Sequence, residues 1–125
     1  MPSRNTRKDD VQDMYYHVYN RGASKQIIFL DEQDYSYFIS MFVRYLSKKS
    51  AIAQAGTVYA HYYDQVELVT FCLMPNHFHL LMYQLQENGL SNFMKSLTGS
   101  YSQYFNLRYK RSGPTFEEGT AEGCR

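Results

Sequence analysis

The sequence predicts an α+β fold of the ferredoxin-like type, an antiparallel sheet with two main helices on one face. Three observations support this prediction. The 125 residues suffice for one ordinary domain. Their patterns follow the order strand, helix, strand, strand, helix. That order is most of a β-α-β-β-α-β unit, and the final strand is not evident.

Three segments have the composition of strands, with β-branched and aromatic residues predominating. They are 14–20 (MYYHVYN), 66–73 (VELVTFCL) and 77–84 (HFHLLMYQ). Pro75 and Asn76 provide turn chemistry between the last two. These two segments therefore predict a β-hairpin.

Two helices are predicted from apolar residues at i, i+3, i+4 and i+7 spacing. The first follows Asp31–Asp34, which supplies a cap and acidic residues, and it runs through Leu46. Ser91 is a candidate cap for the second helix, which Gly113 and Pro114 end. The polar stretch 47–56 between the first helix and the second strand predicts a loop.

The chain divides into a polar lead-in at 1–13, one domain at 14–116 and a tail at 117–125 without a strand pattern. No apolar run approaches the ~20 residues of a membrane span, and we expect no membrane partner. Cys72 lies in an apolar run and Cys124 is next to last. A disulfide framework is therefore not expected, and a reducing cytoplasm is the expected location.

Charge is distributed unevenly, although 13 basic and 12 acidic residues nearly cancel. The stretch 88–116 holds Lys95, Arg108, Lys110 and Arg111 with no carboxylate. Such a segment suits a polyanion, because basic groups gain by displacing phosphate counterions. An equally simple interpretation is a solvated helix end, where cations interact favourably with the helix dipole.

His77 and His79 are the main candidates for chemistry. On a strand they share one face, and their backbone positions lie ~7 Å apart. Two imidazoles so placed can converge on one metal ion. The alternative is an exposed pair without a ligand.

Cys72 together with His77 and His79 offers a second interpretation, a zinc site, although no fourth ligand stands out. His17 and His61 are isolated among aromatic residues and are expected to be packed or surface side chains. Tyr101 and Tyr104 fall on the apolar stripe of the second helix, where burial is expected.

Three motifs resemble a known family. They are Tyr16–Gly22 (YHVYNRG), Cys72–Leu81 (CLMPNHFHLL) and Ser100–Asn106 (SYSQYFN). The sequence resembles the REP-associated tyrosine transposases, within the single-tyrosine HUH transposase family of insertion-sequence type. The resemblance covers about residues 14–116.

This resemblance implies cleavage and rejoining of single-stranded DNA at hairpins, through a 5′-phosphotyrosine intermediate. His77 and His79 would be the two histidines of the HUH motif, which hold Mg²⁺ or Mn²⁺. Homodimers are compatible with this expectation. The alternative function is a non-catalytic nucleic-acid-binding module.

DNA contacts are expected from basic and polar side chains near strand and helix ends. The candidates are Asn20, Arg21, Arg108, Lys110 and Arg111.

The resemblance also implies elements that the sequence does not display. Family members continue with a further strand and a last helix that carries the nucleophilic tyrosine. We therefore expect a C-terminally truncated domain, whose nucleophile would lie beyond Arg125 and whose activity would be reduced or lost.

Overall fold

The computed structural model describes residues 12–48, 56 and 58–124. Its elements are β1 Met14–Arg21, a 3-10 turn Ala23–Lys25, α1 Glu32–Leu46, β2 Val66–Met74, β3 His77–Gln84, α2 Gly89–Tyr109 and β4 Thr120–Cys124. Most of the predicted lead-in and most of the predicted loop at 47–56 lie outside the described residues.

The four strands form one sheet in the order β2-β3-β1-β4, and every neighbouring pair is antiparallel. The helices connect strands that are not neighbours, α1 between β1 and β2, and α2 between β3 and β4. This is the ferredoxin-like arrangement, and the predicted α+β class is confirmed. β1 and β3 are the two central strands.

Alternation along β3 separates the two faces of the sheet. Phe78, Leu80 and Met82 are buried, whereas His77 and His79 are partly exposed. The buried residues belong to the hydrophobic core that both helices help to build. The other face, which carries the histidines, is the open face.

The start of α1 agrees with the sequence. The Asp31 carboxylate accepts a hydrogen bond from the Asp34 amide at 3.2 Å, and Asp31 is the N-cap residue. This cap satisfies one of the amide groups that the first turn of a helix leaves without a partner.

The start of α2 differs from the prediction. The helix begins at Gly89 rather than after Ser91, and the N-cap residue is Asn88. The buried Gln84 side chain accepts a hydrogen bond from the Leu90 amide at 2.7 Å. A residue of the preceding strand β3 therefore supplies the hydrogen-bond acceptor for a free amide in the first turn of α2. Capping patterns, which involve residues next to the helix start, do not predict this contact.

The expectation that the final strand is missing is wrong. Residues 120–124 form β4, which pairs with β1 from Thr120 opposite Tyr19 to Cys124 opposite Tyr15. A Cβ atom at Gly123 would meet the Met14 side chain at 2.3 Å, so glycine allows close packing there. Backbone pairing at the sheet edge, rather than alternating apolar residues, forms this strand.

Candidate functional site

The two histidines of β3 lie close together on the open face. The ring centroids of His77 and His79 are 5.2 Å apart, and the rings are nearly perpendicular at 88°. Both side chains are partly exposed. The rings are therefore neither splayed apart nor enclosed in the core.

The turn before His77 is firmly held. Pro75 O accepts hydrogen bonds from the amides of Ile28 and Phe29 at 2.8 and 3.1 Å, and Asn76 O accepts one from Gly22 N at 2.9 Å. These bonds attach the hairpin turn to the segment that follows β1. The start of β3 is thereby fixed in place.

Asn76 also orients the His77 ring. Its Oδ1 atom lies 2.9 Å from His77 Nδ1. An amide oxygen only accepts, so Nδ1 carries the proton and Nε2 keeps its lone pair. That is the form in which a histidine binds a metal through Nε2.

A third histidine, His17, belongs to the site, contrary to the expectation that it is isolated. Its Nε2 atom lies 2.9 Å from His79 Nδ1, and the two rings are nearly parallel at 8°, with centroids 5.1 Å apart. Alternation places His17 on the open face of β1, beside β3. The predicted topology contained this signal, since β1 and β3 are neighbours in a ferredoxin-like sheet.

His79 has a perturbed acidity. Partial burial, with the neighbouring His17 and His77 rings, lowers the pKa of His79 below its ordinary value. The neutral ring is thus favoured, and a neutral imidazole is the form that binds metal ions.

The histidines open into a cavity of about 490 Å³. It is lined by Tyr19, Asn20, Arg21, His77, His79, Glu117, Glu118 and Thr120. The cavity thus joins the ends of the two central strands to residues that precede and begin β4. The segment expected to be a separate tail contributes three of these lining residues.

The cation at the cavity, Arg21, forms an ion pair with Glu117. Arg21 donates to Glu117 Oε1 from Nε and Nη2, at 3.2 and 3.0 Å, and both side chains are substantially exposed. Asn20 is 8% exposed, and its Oδ1 accepts a hydrogen bond from the Arg21 amide at 2.8 Å. Arg21 is therefore the accessible cation of the cavity, and Asn20 is mainly enclosed.

The donor set is compatible with a divalent ion held by two imidazoles. Two rings that bind one ion at about 2.1 Å must have centroids within roughly 6.5 Å of each other, and the observed 5.2 Å meets this limit. Among the described residues, no three His, Cys, Asp or Glu side chains are grouped so that they could hold a metal ion. The protein would thus leave coordination positions for ligands from outside.

The zinc interpretation gains no support from this geometry. Cys72 lies directly opposite His79 on β2, and its side chain is exposed. It nevertheless forms no three-ligand cluster with the histidines in the described part of the chain.

The basic residues at the end of α2 do not line the cavity. Arg108 donates to Asp34 Oδ1 at 2.6 Å and to both oxygens of Asp31 at 2.7 Å. Arg111 donates to Asn106 Oδ1 at 2.8 Å. Lys110 is exposed.

The tyrosines of α2 lie in the helical layer, as predicted. Tyr101 is fully buried, and its hydroxyl donates to Ile28 O. Tyr104 donates to Asp34 Oδ1 at 2.6 Å. Burial raises the pKa of the Tyr101 hydroxyl, with the Asp34 charge contributing further. Both residues are placed to support the fold.

The site is thus a pair of adjacent histidines on the open face of a ferredoxin-like sheet. The model of the family described as "Transposase IS200 like" matches residues 10–119. The chain belongs to this family. None of the curated proteins compared with the chain matches it.

Membership establishes the general function. The protein is a transposase-like DNA-processing protein of DNA transposition and recombination, DNA is its partner, and its family generally uses divalent metals. Within the described ranges, neither helix has both the length and the apolar content to cross a membrane.

Proposed function

We propose that the open face handles single-stranded DNA at hairpins, with His77 and His79 holding Mg²⁺ or Mn²⁺ against a backbone phosphate. The observation that carries this proposal is the pair of rings 5.2 Å apart at the wall of an accessible cavity. When bound, a divalent ion would polarise the phosphate and stabilise charge that develops on it.

Arg21 supplies the protein's own phosphate contact at the cavity. Its present partner, Glu117, holds it through an exposed ion pair. Such pairs contribute only about 0–1 kcal/mol, so an incoming phosphate can replace the Glu117 carboxylate. Asn20, adjacent in sequence, helps to shape this wall.

The face of the sheet on which a tyrosine lies decides whether its hydroxyl can reach DNA bound at the cavity. The hydroxyls of Tyr101 and Tyr104 are engaged in the helical layer, on the opposite side from His77 and His79. Tyr19 is the tyrosine that lines the cavity, and its ring centroid lies 5.9 Å from that of His79. Among the described residues, Tyr19 is therefore our candidate for covalent attack on DNA bound at this cavity.

A second function, non-catalytic binding of hairpin DNA, is favoured by a specific observation. The tyrosines of α2 are committed to buried or partly buried hydrogen bonds. Metal-assisted binding does not require a nucleophile.

Binding to a fluorescent hairpin-bearing single strand, with and without Mn²⁺, tests the proposal. We expect Mn²⁺ to increase affinity for the hairpin and the double variant His77→Ala, His79→Ala to remove that increase. The matched control is His61→Ala, which removes a histidine that does not line the cavity. Equal Mn²⁺ enhancement in all three proteins would contradict the proposal.

A denaturing gel of the same mixtures separates the two functions. A DNA adduct that survives denaturant and disappears in Tyr19→Phe supports strand cleavage by this chain. Metal-dependent binding without an adduct supports the non-catalytic function. An adduct that disappears only in Tyr101→Phe would contradict the assignment of the two faces.

A further inference from the structure

Each histidine of β3 has a hydrogen-bonding partner on its Nδ1 atom. For His77 the partner is Asn76 Oδ1 at 2.9 Å, and for His79 it is His17 Nε2 at the same distance. In the part of the chain that the structure describes, neither Nε2 atom of His77 or His79 takes part in a hydrogen bond. The two rings are thus held in an equivalent way by different residue types.

The partner of Nδ1 decides which nitrogen can bind an ion. A neutral imidazole carries one proton, and the nitrogen without the proton has the lone pair. If His79 carries its proton on Nδ1 and donates this hydrogen bond to His17, the lone pair of His79 is on Nε2. If His17 donates instead, Nε2 of His79 carries the proton and cannot act as a ligand.

We infer that His17 is a positioning residue for His79. Its Nε2 atom accepts a hydrogen bond from the protonated Nδ1 of His79, so that the lone pair of His79 Nε2 is available to bind a divalent ion. This inference rests on the proposed metal site of His77 and His79. It assigns to His17 the role that Asn76 has for His77.

Packing around His17 supports a fixed orientation of this pair. The His17 ring is stacked on Tyr19 with centroids 5.1 Å apart at 30°, and its plane is within 8° of that of His79, as an in-plane hydrogen bond between the two rings requires. β1 and β3 are hydrogen-bonded along their whole length, so their backbones are rigidly related. Because outer partners orient metal-binding histidines, their loss typically weakens metal affinity by about 10- to 100-fold.

The tautomer of His79 provides a test that needs no metal and no substitution. Long-range ¹H–¹⁵N correlation spectra of ¹⁵N-labelled, metal-free protein identify the protonated nitrogen of each neutral ring. We expect the proton of His79 on Nδ1. A proton on Nε2 would overturn the inference.

Mn²⁺ affinity, measured by electron paramagnetic resonance, tests the consequence with two opposed variants. His17→Phe keeps an aromatic ring on Tyr19 but removes the acceptor, and we expect about 10- to 100-fold weaker binding. His17→Gln places an amide oxygen near the position of Nε2, and we expect affinity within about threefold of the original protein. The matched control is His61→Phe, since His61 is stacked on Tyr63 at 5.0 Å as His17 is stacked on Tyr19.

The outcomes distinguish this inference from the proposed site itself. If His79→Ala leaves Mn²⁺ affinity unchanged, the metal site is wrong and the inference fails with it. If His79→Ala abolishes binding but His17→Phe binds as tightly as the original protein, only the inference fails. Equal losses in His17→Phe and His17→Gln would show a packing effect and also overturn it.

Discussion

Replacing Asp34 by asparagine should loosen the contact between α1 and α2, because four donors converge on this buried carboxylate. Oδ1 accepts from Tyr104 and Arg108, each at 2.6 Å, and Oδ2 accepts from Tyr109 at 2.5 Å and the Leu30 amide at 2.9 Å. An asparagine amide group must replace one oxygen by a donor. Whichever way it faces, two of the four donors lose their acceptor.

The expected loss in the free energy of unfolding follows from the number of hydrogen bonds that Asp34→Asn removes. A hydrogen bond to a charged group contributes about 1.5–3 kcal/mol, so two lost bonds cost about 3–6 kcal/mol. The free energy of unfolding of a native domain is about 5–15 kcal/mol, so this loss is a large fraction of the total stability. Equilibrium unfolding in urea measures it.

Glu32→Gln is the matched control for the Asp34 variant. Glu32 also lies in the first turn of α1 but is exposed, and loss of its charge should cost at most about 1 kcal/mol through the helix dipole. If the free energies of unfolding of Asp34→Asn and Glu32→Gln differ by less than about 1 kcal/mol, the reasoning is refuted.

The same carboxylate predicts a pH dependence. Burial acts to raise the pKa of Asp34, but hydrogen bonds from Tyr104, Tyr109, Leu30 and Arg108 outweigh it and leave the pKa lowered. Unfolded aspartate has a pKa of about 3.9, so the stabilisation is present above about pH 4 and is lost as the pH falls through the lowered folded-state pKa. The difference in stability between the original protein and Asp34→Asn should narrow on acidification, measured by urea unfolding at several pH values.

Three further predictions concern the fold. Tyr101→Phe removes the hydroxyl that donates to Ile28 O and should cost about 1 kcal/mol in urea unfolding, without loss of DNA binding. Gly22→Ala would place a Cβ atom 2.2 Å from Gln26 O, and we expect about 1–3 kcal/mol of destabilisation by the same measurement. Deleting residues 120–125 removes β4, one of the two strands that flank β1, and should increase hydrogen exchange of the β1 amides that faced it; unchanged protection would contradict the pairing.

The sequence was sufficient to predict the elements in which the spacing of apolar residues directly reflects which side chains are buried. β3 is found at the predicted residues 77–84, because its strict alternation matches a half-buried strand. α1 is likewise confirmed, since its apolar spacing and the Asp31 cap agree. In both cases local preference and tertiary packing favour the same structure.

The remaining features depend on contacts between distant residues. β4 is an edge strand stabilised by pairing with β1, and its five residues lack an apolar alternation. The His17 contact with His79 spans 62 residues of sequence and becomes visible only when β1 is placed beside β3. Considering which residues share the open face of the two central strands would have found it.

The structure also decides how DNA contacts at the end of α2 must be tested. Arg108 is the partner of the buried Asp34, and removing it should cost about 3 kcal/mol by leaving that charge without its cation. Weaker DNA binding by Arg108→Ala would therefore report partial unfolding. Lys110 is exposed, and Arg111 donates to the Asn106 side chain and lies over the Phe105 ring, 5.4 Å from its centroid. Such surface contacts are weak, so substitution of both residues should leave the fold intact.

The double variant Lys110→Ala, Arg111→Ala is consequently the informative one. Each contact to a single-stranded phosphate contributes about 0.7 to the slope of log affinity against log salt. Loss of two contacts should flatten this slope by about 1.4, with unfolding in urea unchanged. Lys95→Ala, which removes an exposed lysine in the first half of α2, provides the control for net charge. A slope equal to that of Lys95→Ala would place the DNA away from this end of the helix.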